Sequence, residues 1–306
     1  MDNSKREYRM GLIAGAGTSA IWGILPVYWR WIDAIDSWVI IVYRIFLAGV
    51  LCFFLALKSF GMEGIKAPLR EKGVMLRYFI SGLLVTVNWS TYIWAVNAGH
   101  VIEASIGYYI EPLVVSLFGV VIFKERMNGI KKLGVGLVLC AVLAMMIHFQ
   151  KPPMISLTLA ISFAAYTAVK KKYSMSPALS LFYETMFLIP VTFGVILYLE
   201  GTGKGAFSMI EAPYQYVLLL FSGVVTAVPL LTLAYAAARI KFVTLGISQY
   251  ISPTLTLLIG IFLFREPFDL VQFAAVVLIW IGIIFFTAGE MKDTGESVFS
   301  QEEDVL

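Results

Sequence analysis

The chain has 306 residues, of which 59% are hydrophobic and only 14% charged. A soluble domain carries about 45–50% apolar and about 25% charged residues, so this composition, with a mean hydropathy of +0.84, reads as an integral membrane protein. The net charge of +3 is spread in short clusters between apolar runs rather than over one folded face, which argues against nucleic acid as a partner.

A helix needs about 20 mainly apolar residues to cross ~30 Å of hydrocarbon. Ten segments meet that length in order: 10–32, 37–57, 75–97, 101–123, 130–149, 154–173, 177–199, 214–238, 242–264 and 269–289. The fold class this predicts is an all-α integral membrane protein with ten transmembrane helices. The first segment follows MDNSKREYRM and shows no small-residue cleavage site, so it is expected to be a retained helix rather than a signal peptide. Along it Gly11, Gly15, Ser19 and Gly23 recur every four residues, a strip suited to close helix packing. Segment 58–74 reads as the longest loop. The two cysteines, Cys52 and Cys140, fall inside apolar spans and read as small buried residues, not as a disulfide or metal site. His100 and His148 lack metal-ligand spacing, and no P-loop, HExxH or nucleophile elbow is present. No metal, cofactor or enzymatic chemistry is expected.

Loop charge predicts orientation, because cytoplasmic loops carry the excess of Lys and Arg. One alternate set of loops and tails holds 18 of the 23 basic residues, including Lys5, Arg9, Lys66, Arg77, Lys131, Lys170–Lys172 and Arg239. The opposite set holds only Arg30, Lys151, Lys204 and Arg265. Both termini are therefore expected in the cytoplasm, in a multi-pass protein of the cell (inner) membrane.

A phrase occurs twice. Residues 107–125 read GYYIEPLVVSLFGVVIFKE and residues 248–266 read SQYISPTLTLLIGIFLFRE. A register of 141 pairs Tyr109 with Tyr250, Pro112 with Pro253 and Glu125 with Glu266. A register of 140 aligns Tyr43-Arg44 with Tyr183-Glu184. Five spans per half is an odd number, so the two halves are expected to be inverted, and inverted repeats place a substrate site near the midplane between them. The expected organisation is a cytoplasmic tail over 1–9, five-helix repeats over 10–149 and 150–289, and a second cytoplasmic tail over 290–306.

Ionisable residues within spans are costly and usually face a cavity or a partner. Glu111 is ten residues into the fourth span, ~15 Å deep at 1.5 Å per residue. It precedes Pro112, whose missing N–H frees a carbonyl and is expected to kink the helix, as is Pro253 in the second copy. A carboxylate there suits a cation, a proton or a basic substrate group. Arg44 suits an anionic group or a glutamate partner. Glu184 is a site candidate or a partner for the Lys170–Lys172 cluster. Trp94, Tyr109, Tyr166 and Tyr250 are candidates to line an amphipathic cavity. Asn88, in the middle of the third span, reads as helix glue or as a site residue.

Several blocks carry a resemblance: IWGILPVYW (21–29), NWSTYIWAVNAGHVIEASIGYYIEPL (88–113), LAISFAAYTAVKKK (159–172), ETMFLIPV (184–191) and VPLLTLAYAAARIKFVTLGISQYISPTL (228–255). They resemble the RarD family, of the chloramphenicol-sensitive-protein type, within the EamA-like transporters of the drug/metabolite transporter superfamily. The resemblance implies an inverted-repeat permease for a small metabolite or drug-like molecule. The family commonly has Asn before the fourth-span proline, where this chain has Glu111, and a polar contact role carries over to that position. The function expected is secondary transport, as an exporter working by alternating access, with a small-molecule substrate, the lipid bilayer, and H+ or another ion as coupling partner. The alternatives are a flippase for a lipid-linked molecule and a membrane-embedded transferase. The latter would gather acid, base and nucleophile at one surface, whereas the intramembrane charges here lie at three depths.

The orientation is testable. A fluorescent protein fused to the C-terminus should mature, whereas alkaline phosphatase at the same position should stay inactive; the reverse pattern contradicts the loop-charge reading.

Overall fold

The computed structural model describes residues 3–303 except 72, 125–126, 151, 171–176, 238 and 241–247, and all regular structure among the described residues is helical. The helices are α1 (Asn3–Arg30), α2 (Ser37–Lys66), α3 (Val74–Asn97), α4 (Val101–Phe123), α5 (Gly129–Phe149), α6 (Met154–Lys170), α7 (Pro177–Met186), α8 (Ile189–Gly201), α9 (Ala206–Met209), α10 (Pro213–Ala237), α11 (Ile251–Leu258) and α12 (Leu270–Glu303). Among the described residues, seven helices are long and apolar enough to cross a membrane: α1 to α5, α10 and α12. The pair α7–α8 passes the same test jointly but bends by 56°, and two shorter apolar helices cover Met154–Val169 and Ile251–Leu263.

Local chemistry explains where these helices begin. The Asp36 carboxylate accepts from the Trp38 amide and opens α2. Asn128 accepts from the Lys131 amide at 2.8 Å and opens α5. Asp269 and Gln272 form a reciprocal capping box: the Gln272 amide donates to Asp269 at 2.8 Å, and the Asp269 amide donates to Gln272 at 3.0 Å. Two further N-termini are capped from elsewhere in the chain. Both oxygens of Glu266 accept from the first amides of α4, Val101 at 2.8 Å and Ile102 at 2.9 Å. Glu103 accepts from the Ile155 amide of α6 at 3.2 Å. A carboxylate at a helix N-terminus satisfies orphan donors and opposes the helix dipole.

Two expectations about spans need correction. Segment 58–74 is not simply a loop: α2 continues through it to Lys66, turning at Gly61 (φ +63°), and a 3-10 turn follows at Ala67–Arg70. The stretch is anchored by packing, since Ile65 is buried with Tyr78, Leu179 and Tyr183, and the Tyr183 hydroxyl donates to the Ile65 carbonyl. Span 177–199 is not one helix either. It breaks between Met186 and Ile189, where Pro190 sits in the first turn of α8, the position at which its missing N–H costs nothing. Span 242–264 is described only from residue 248; Ser248 and Gln249 are helical, Tyr250 is a turn, and α11 runs on into a π-helix at Ile259–Leu263.

The helices pack as α1 on α10 and α11, α2 on α7 and α10, α3 on α6 and α7, α4 on α6 and α11, and α5 on α12. Glycines set the closest of these approaches. A methyl group on Gly134 of α5 would stand 2.6 Å from the Gly282 carbonyl oxygen of α12, and one on Gly282 would stand 2.8 Å from the Gly134 carbonyl oxygen. Gly82 of α3 lies directly on the Glu184 carbonyl of α7, and Gly223 of α10 lies against Leu47 and Ala48 of α2. Part of the small-residue strip on α1 serves as anticipated: Gly23 abuts Leu255 of α11, Gly11 abuts Arg239 and Ile240, and Ser19 is fully buried.

One end of the bundle is closed by a continuous apolar cluster that includes Trp29, Ile32, Ile35, Ile40, Ile93 and Val101, all fully buried. A second cluster, with Ile106, Tyr109, Leu113, Ala141 and Ile279, joins α4, α5 and α12.

Gly82→Ala should lower the melting temperature in detergent by the equivalent of about 1–3 kcal/mol, the cost of overpacking against backbone. Gly194→Ala, where an added methyl group meets nothing within 4 Å, should leave it unchanged. Equal melting of the two variants would contradict the close α3–α7 crossing.

Candidate functional site

A cavity of about 150 Å³ lies inside the bundle. Its wall comes from α1 (Trp22, Leu25), α2 (Arg44), α3 (Val85, Asn88, Trp89, Tyr92), α4 (Tyr108, Glu111) and α6 (Phe163, Tyr166). The rest comes from α10 (Thr226, Leu230, Leu233) and from the α11 region (Gln249, Tyr250, Ser252, Pro253, Thr256). Helical periodicity builds this wall. Val85, Asn88, Trp89 and Tyr92 recur at three- and four-residue steps and so share one face of α3, as do Thr226, Leu230 and Leu233 on α10.

Arg44 is 4% exposed. Its Nε donates to the Thr226 hydroxyl at 2.8 Å, and that hydroxyl in turn donates to the Ser222 carbonyl at 2.8 Å. The guanidinium lies over two indole rings, 5.1 Å from the centroid of Trp29 and 4.6 Å from that of Trp89. Its Nη1 is buried without a hydrogen-bond partner, and no carboxylate among the described residues forms an ion pair with it. Cation–π contacts of this kind contribute up to about 2 kcal/mol when desolvated, which offsets only part of the cost of burying an unpaired cation. Glu111, the other charged residue in the wall, is half-buried and makes no hydrogen bond or ion pair with any described residue.

Asn88 is held by three hydrogen bonds to the protein, which use both amide hydrogens and one lone pair of the carbonyl oxygen. Its Nδ2 donates to the Leu159 carbonyl at 2.9 Å and to Ser162 Oγ at 3.2 Å, while its Oδ1 accepts from the Tyr108 hydroxyl at 3.1 Å. It thereby ties α3, α4 and α6 together at the cavity wall. Tyr166 donates to Glu184 at 3.0 Å, and Ser180 donates to the other oxygen of Glu184 at 2.9 Å.

Six residues singled out from the sequence therefore meet at one cavity: Arg44, Asn88, Glu111, Tyr166, Tyr250 and Pro253. Glu184, 1% exposed, does not reach it and instead stands behind Tyr166. Tyr109 is also displaced from it. Its ring stacks on Tyr250 with centroids 6.5 Å apart, its hydroxyl shares a 2.7 Å hydrogen bond with Thr254, and it belongs to the α4–α5–α12 cluster. Trp94 is 48% exposed near the end of α3 and stacks on His100, away from the cavity. Tyr92 and Trp94 are two residues apart, which puts them on different faces of α3, and the cavity face is that of Tyr92. Pro253 lies in the first turn of α11, just after the turn at Tyr250, and its carbonyl accepts from the Ser105 hydroxyl at 2.7 Å. Pro112 lies within α4, which is continuous to Phe123; its side chain is outside the described residues. Trp22, Trp89, Tyr92, Tyr108, Thr226, Gln249 and Ser252 line the cavity without having been singled out as site residues. The three- and four-residue spacing around Asn88 was the available signal for the α3 members.

The EamA-like transporter family model matches the chain twice, over residues 9–147 and 152–288. The chain belongs to this family. It is 35% identical to the uncharacterized transporter YojE of Bacillus subtilis over 94% of this chain and 96% of that protein. It is 35% identical to the protein RarD of Streptomyces exfoliatus over 96% and 93% of the respective chains, and 34% identical to the protein RarD of Escherichia coli over 92% and 95%. A crystal structure at 15% identity superposes with a TM-score of 0.59 over 91% of this chain and 97% of that one, which shows a shared fold.

Asn88→Leu would strand the Tyr108 hydroxyl and leave Ser162 with only its 3.3 Å bond to the Leu159 carbonyl. The expected loss of stability is about 1–3 kcal/mol, the cost of an unmade buried hydrogen bond, read as a lower melting temperature. In a double-mutant cycle, Tyr166→Phe and Glu184→Gln should be coupled by about 0.5–3 kcal/mol, as residues in one hydrogen-bond network are; additive effects would mean that their contact does not form.

Proposed function

We propose that this protein is a secondary transporter that exports a small metabolite or drug-like molecule across the cell (inner) membrane by alternating access. The reading has ten spans, with α7 and α8 forming one bent span and α6 and α11 two short ones. These form two inverted five-helix repeats, over 10–149 and 150–289, with both terminal tails in the cytoplasm.

The observation that carries this reading is the cavity. Helices from both halves build it, and its charged residues are Arg44 and Glu111, side chains that a bundle serving only as a scaffold has no reason to bury. The packing supports the inverted repeat. Contacts of α1 with α10 have a counterpart in those of α6 with α3, contacts of α1 with α11 in those of α6 with α4, and contacts of α2 with α10 in those of α7 with α3. The pairs α4–α11 and α5–α12 join equivalent spans to each other. Gly82 and Gly223, at two of these equivalent crossings, are separated by the same 141 residues as Tyr109 and Tyr250, which stack on each other. The double match of the family model supports the duplication. The sealed end at Trp29, Ile32 and Ile40, with the cavity wall running away from it toward Leu233 and Gln249, suits one of two alternating states. The names of the relatives, two of them RarD and one a transporter, agree with this class of activity.

The test is transport by the full chain in proteoliposomes, with substrate found by comparing metabolites retained by cells with and without the protein. Cells lacking it should retain the substrate. Arg44→Gln and Glu111→Gln should each lower the initial rate at least tenfold while insertion and elution behaviour stay normal. Transport at the wild-type rate by both variants would remove these residues from the site.

A further inference from the structure

We infer that the elbow at the end of α2 is a binding site for anionic phospholipid, with Phe60, Met62 and Leu69 seated among acyl chains and Lys58, Lys66 and Arg70 at the headgroup phosphates. This surface is separate from the cavity and independent of the transport reading.

The elbow begins where the bilayer ends. Ser37–Phe60 covers ~36 Å at about 1.5 Å per residue, enough to cross ~30 Å of hydrocarbon. The chain then turns at Gly61, whose φ of +63° lies in the left-handed region that favours glycine. The turn brings Gly64 back against Phe60, so that a methyl group on Gly64 would stand 2.6 Å from the Phe60 Cβ. Beyond it the chain is anchored to α3 and α7. Ile65 is buried with Tyr78, Leu179 and Tyr183, the Tyr183 hydroxyl donates to the Ile65 carbonyl, and Pro68 is buried in the turn that follows. These inward contacts set the shape of the elbow in advance, so a ligand need not order it.

The outward side of the elbow combines two features that water alone does not suit. Phe60, Met62 and Leu69 are 44%, 47% and 49% exposed. Met62 and Leu69 lie three residues before and four after Ile65, on its side of the helical repeat, yet only Ile65 reaches the protein. Lys58, Lys66 and Arg70 are exposed among them. Arg70 approaches Glu63 at 3.4 Å, but the two side chains are 77% and 81% exposed, and a pair so open to solvent holds an arginine weakly. Residues 58–77 contain five basic and two acidic side chains, a local charge of +3 that equals the net charge of the whole chain.

Apolar side chains interleaved with cations at the level where a span leaves the hydrocarbon form an interfacial element, and a basic cluster in that position attracts anionic headgroups. Other occupants meet only part of it. A zwitterionic lipid accepts the apolar side chains but brings no net charge to the cations. A soluble anion meets the cations and leaves Phe60, Met62 and Leu69 in water.

The experiment uses the full chain in phosphatidylcholine proteoliposomes, with Met62→Cys carrying a fluorophore in a Cys140→Ser background. A small fraction of the lipid is phosphatidylglycerol or phosphatidylcholine bearing a nitroxide high in its acyl chain, which quenches on contact. A single basic residue at an anionic surface is worth about fivefold, so the labelled phosphatidylglycerol should associate at least threefold more strongly than the labelled phosphatidylcholine. Replacing Lys58, Lys66 and Arg70 together by Gln should bring the ratio to about one. Raising salt from about 0.1 M to about 1 M, which shortens the screening length from ~10 Å to ~3 Å, should do the same to the unaltered elbow. Phe60→Ser with Leu69→Ser should weaken quenching by both lipids. A fluorophore at Leu143→Cys, on the exposed side of α5, should show a ratio near one in every variant, which controls for folding and insertion. Equal quenching at Met62→Cys by the two lipids overturns the inference, as does a preference that survives the triple substitution. Absence of quenching by either lipid places the elbow in water, or under a protein partner, and overturns it as well. Loss of the preference on adding soluble glycerol phosphate would make the site one for free phosphate and not for lipid.

Discussion

Close approach of helices at glycine is the constraint on which the rest of this molecule depends. In hydrocarbon there is no gain from hiding apolar side chains from the surroundings, so helices associate through contact and through hydrogen bonds that form only when backbones come near. Gly134 and Gly282 let α5 and α12 touch backbone to backbone, and Gly82 and Gly223 do the same for α3 on α7 and α10 on α2. Those crossings fix the angles of the remaining helices, and the space left between α1, α3, α4, α6, α10 and the α11 region is the cavity.

Polar side chains inside the bundle divide into two kinds. Asn88 and Glu184 are consumed by the protein: Asn88 ties α3 to α4 and α6, and Glu184 of α7 is bonded to Tyr166 of α6 and to Ser180 of its own helix. Arg44 and Glu111 are not consumed. Arg44 is steadied through one nitrogen and two indole faces, and Glu111 is left facing the cavity. Partner count, rather than charge or depth, separates the two kinds, and a partner count is a property of the assembled bundle.

The duplicated phrase shows how much of the fold was legible from residues. Tyr109 and Tyr250 stand at equivalent positions, yet Tyr250 lines the cavity and Tyr109 packs behind it with its ring stacked on Tyr250 and its hydroxyl on Thr254. Equivalence in sequence became contact in space, with different surroundings for the two rings. Helix spans were readable because about 20 apolar residues in a row have few alternatives. The break in the seventh segment was less so, because Pro190 is equally at home in the first turn of a new helix and in a kink. The continuation of α2 past Gly61 was hidden by its polar composition, and only the burial of Ile65 against Tyr183 accounts for it.

The candidate site was legible where the residue type is rare within a span and illegible where it is common. Arg44 and Glu111 stood out because an ionisable side chain at that depth is expensive. Thr226, Ser252 and Gln249 did not, since uncharged polar residues are routine glue between helices, and Trp94 was indistinguishable by type from Trp89. By itself the sequence determined that the chain lives in a bilayer, that its halves are related, and which few charges had to be accommodated, because composition and period are enough to settle free energies of transfer. The tertiary structure alone decided that Arg44 and Glu111 share one cavity without pairing, that Glu184 is spent on Tyr166 and Ser180, and that Trp94 faces outward, because those outcomes depend on which faces of distant helices are pressed together.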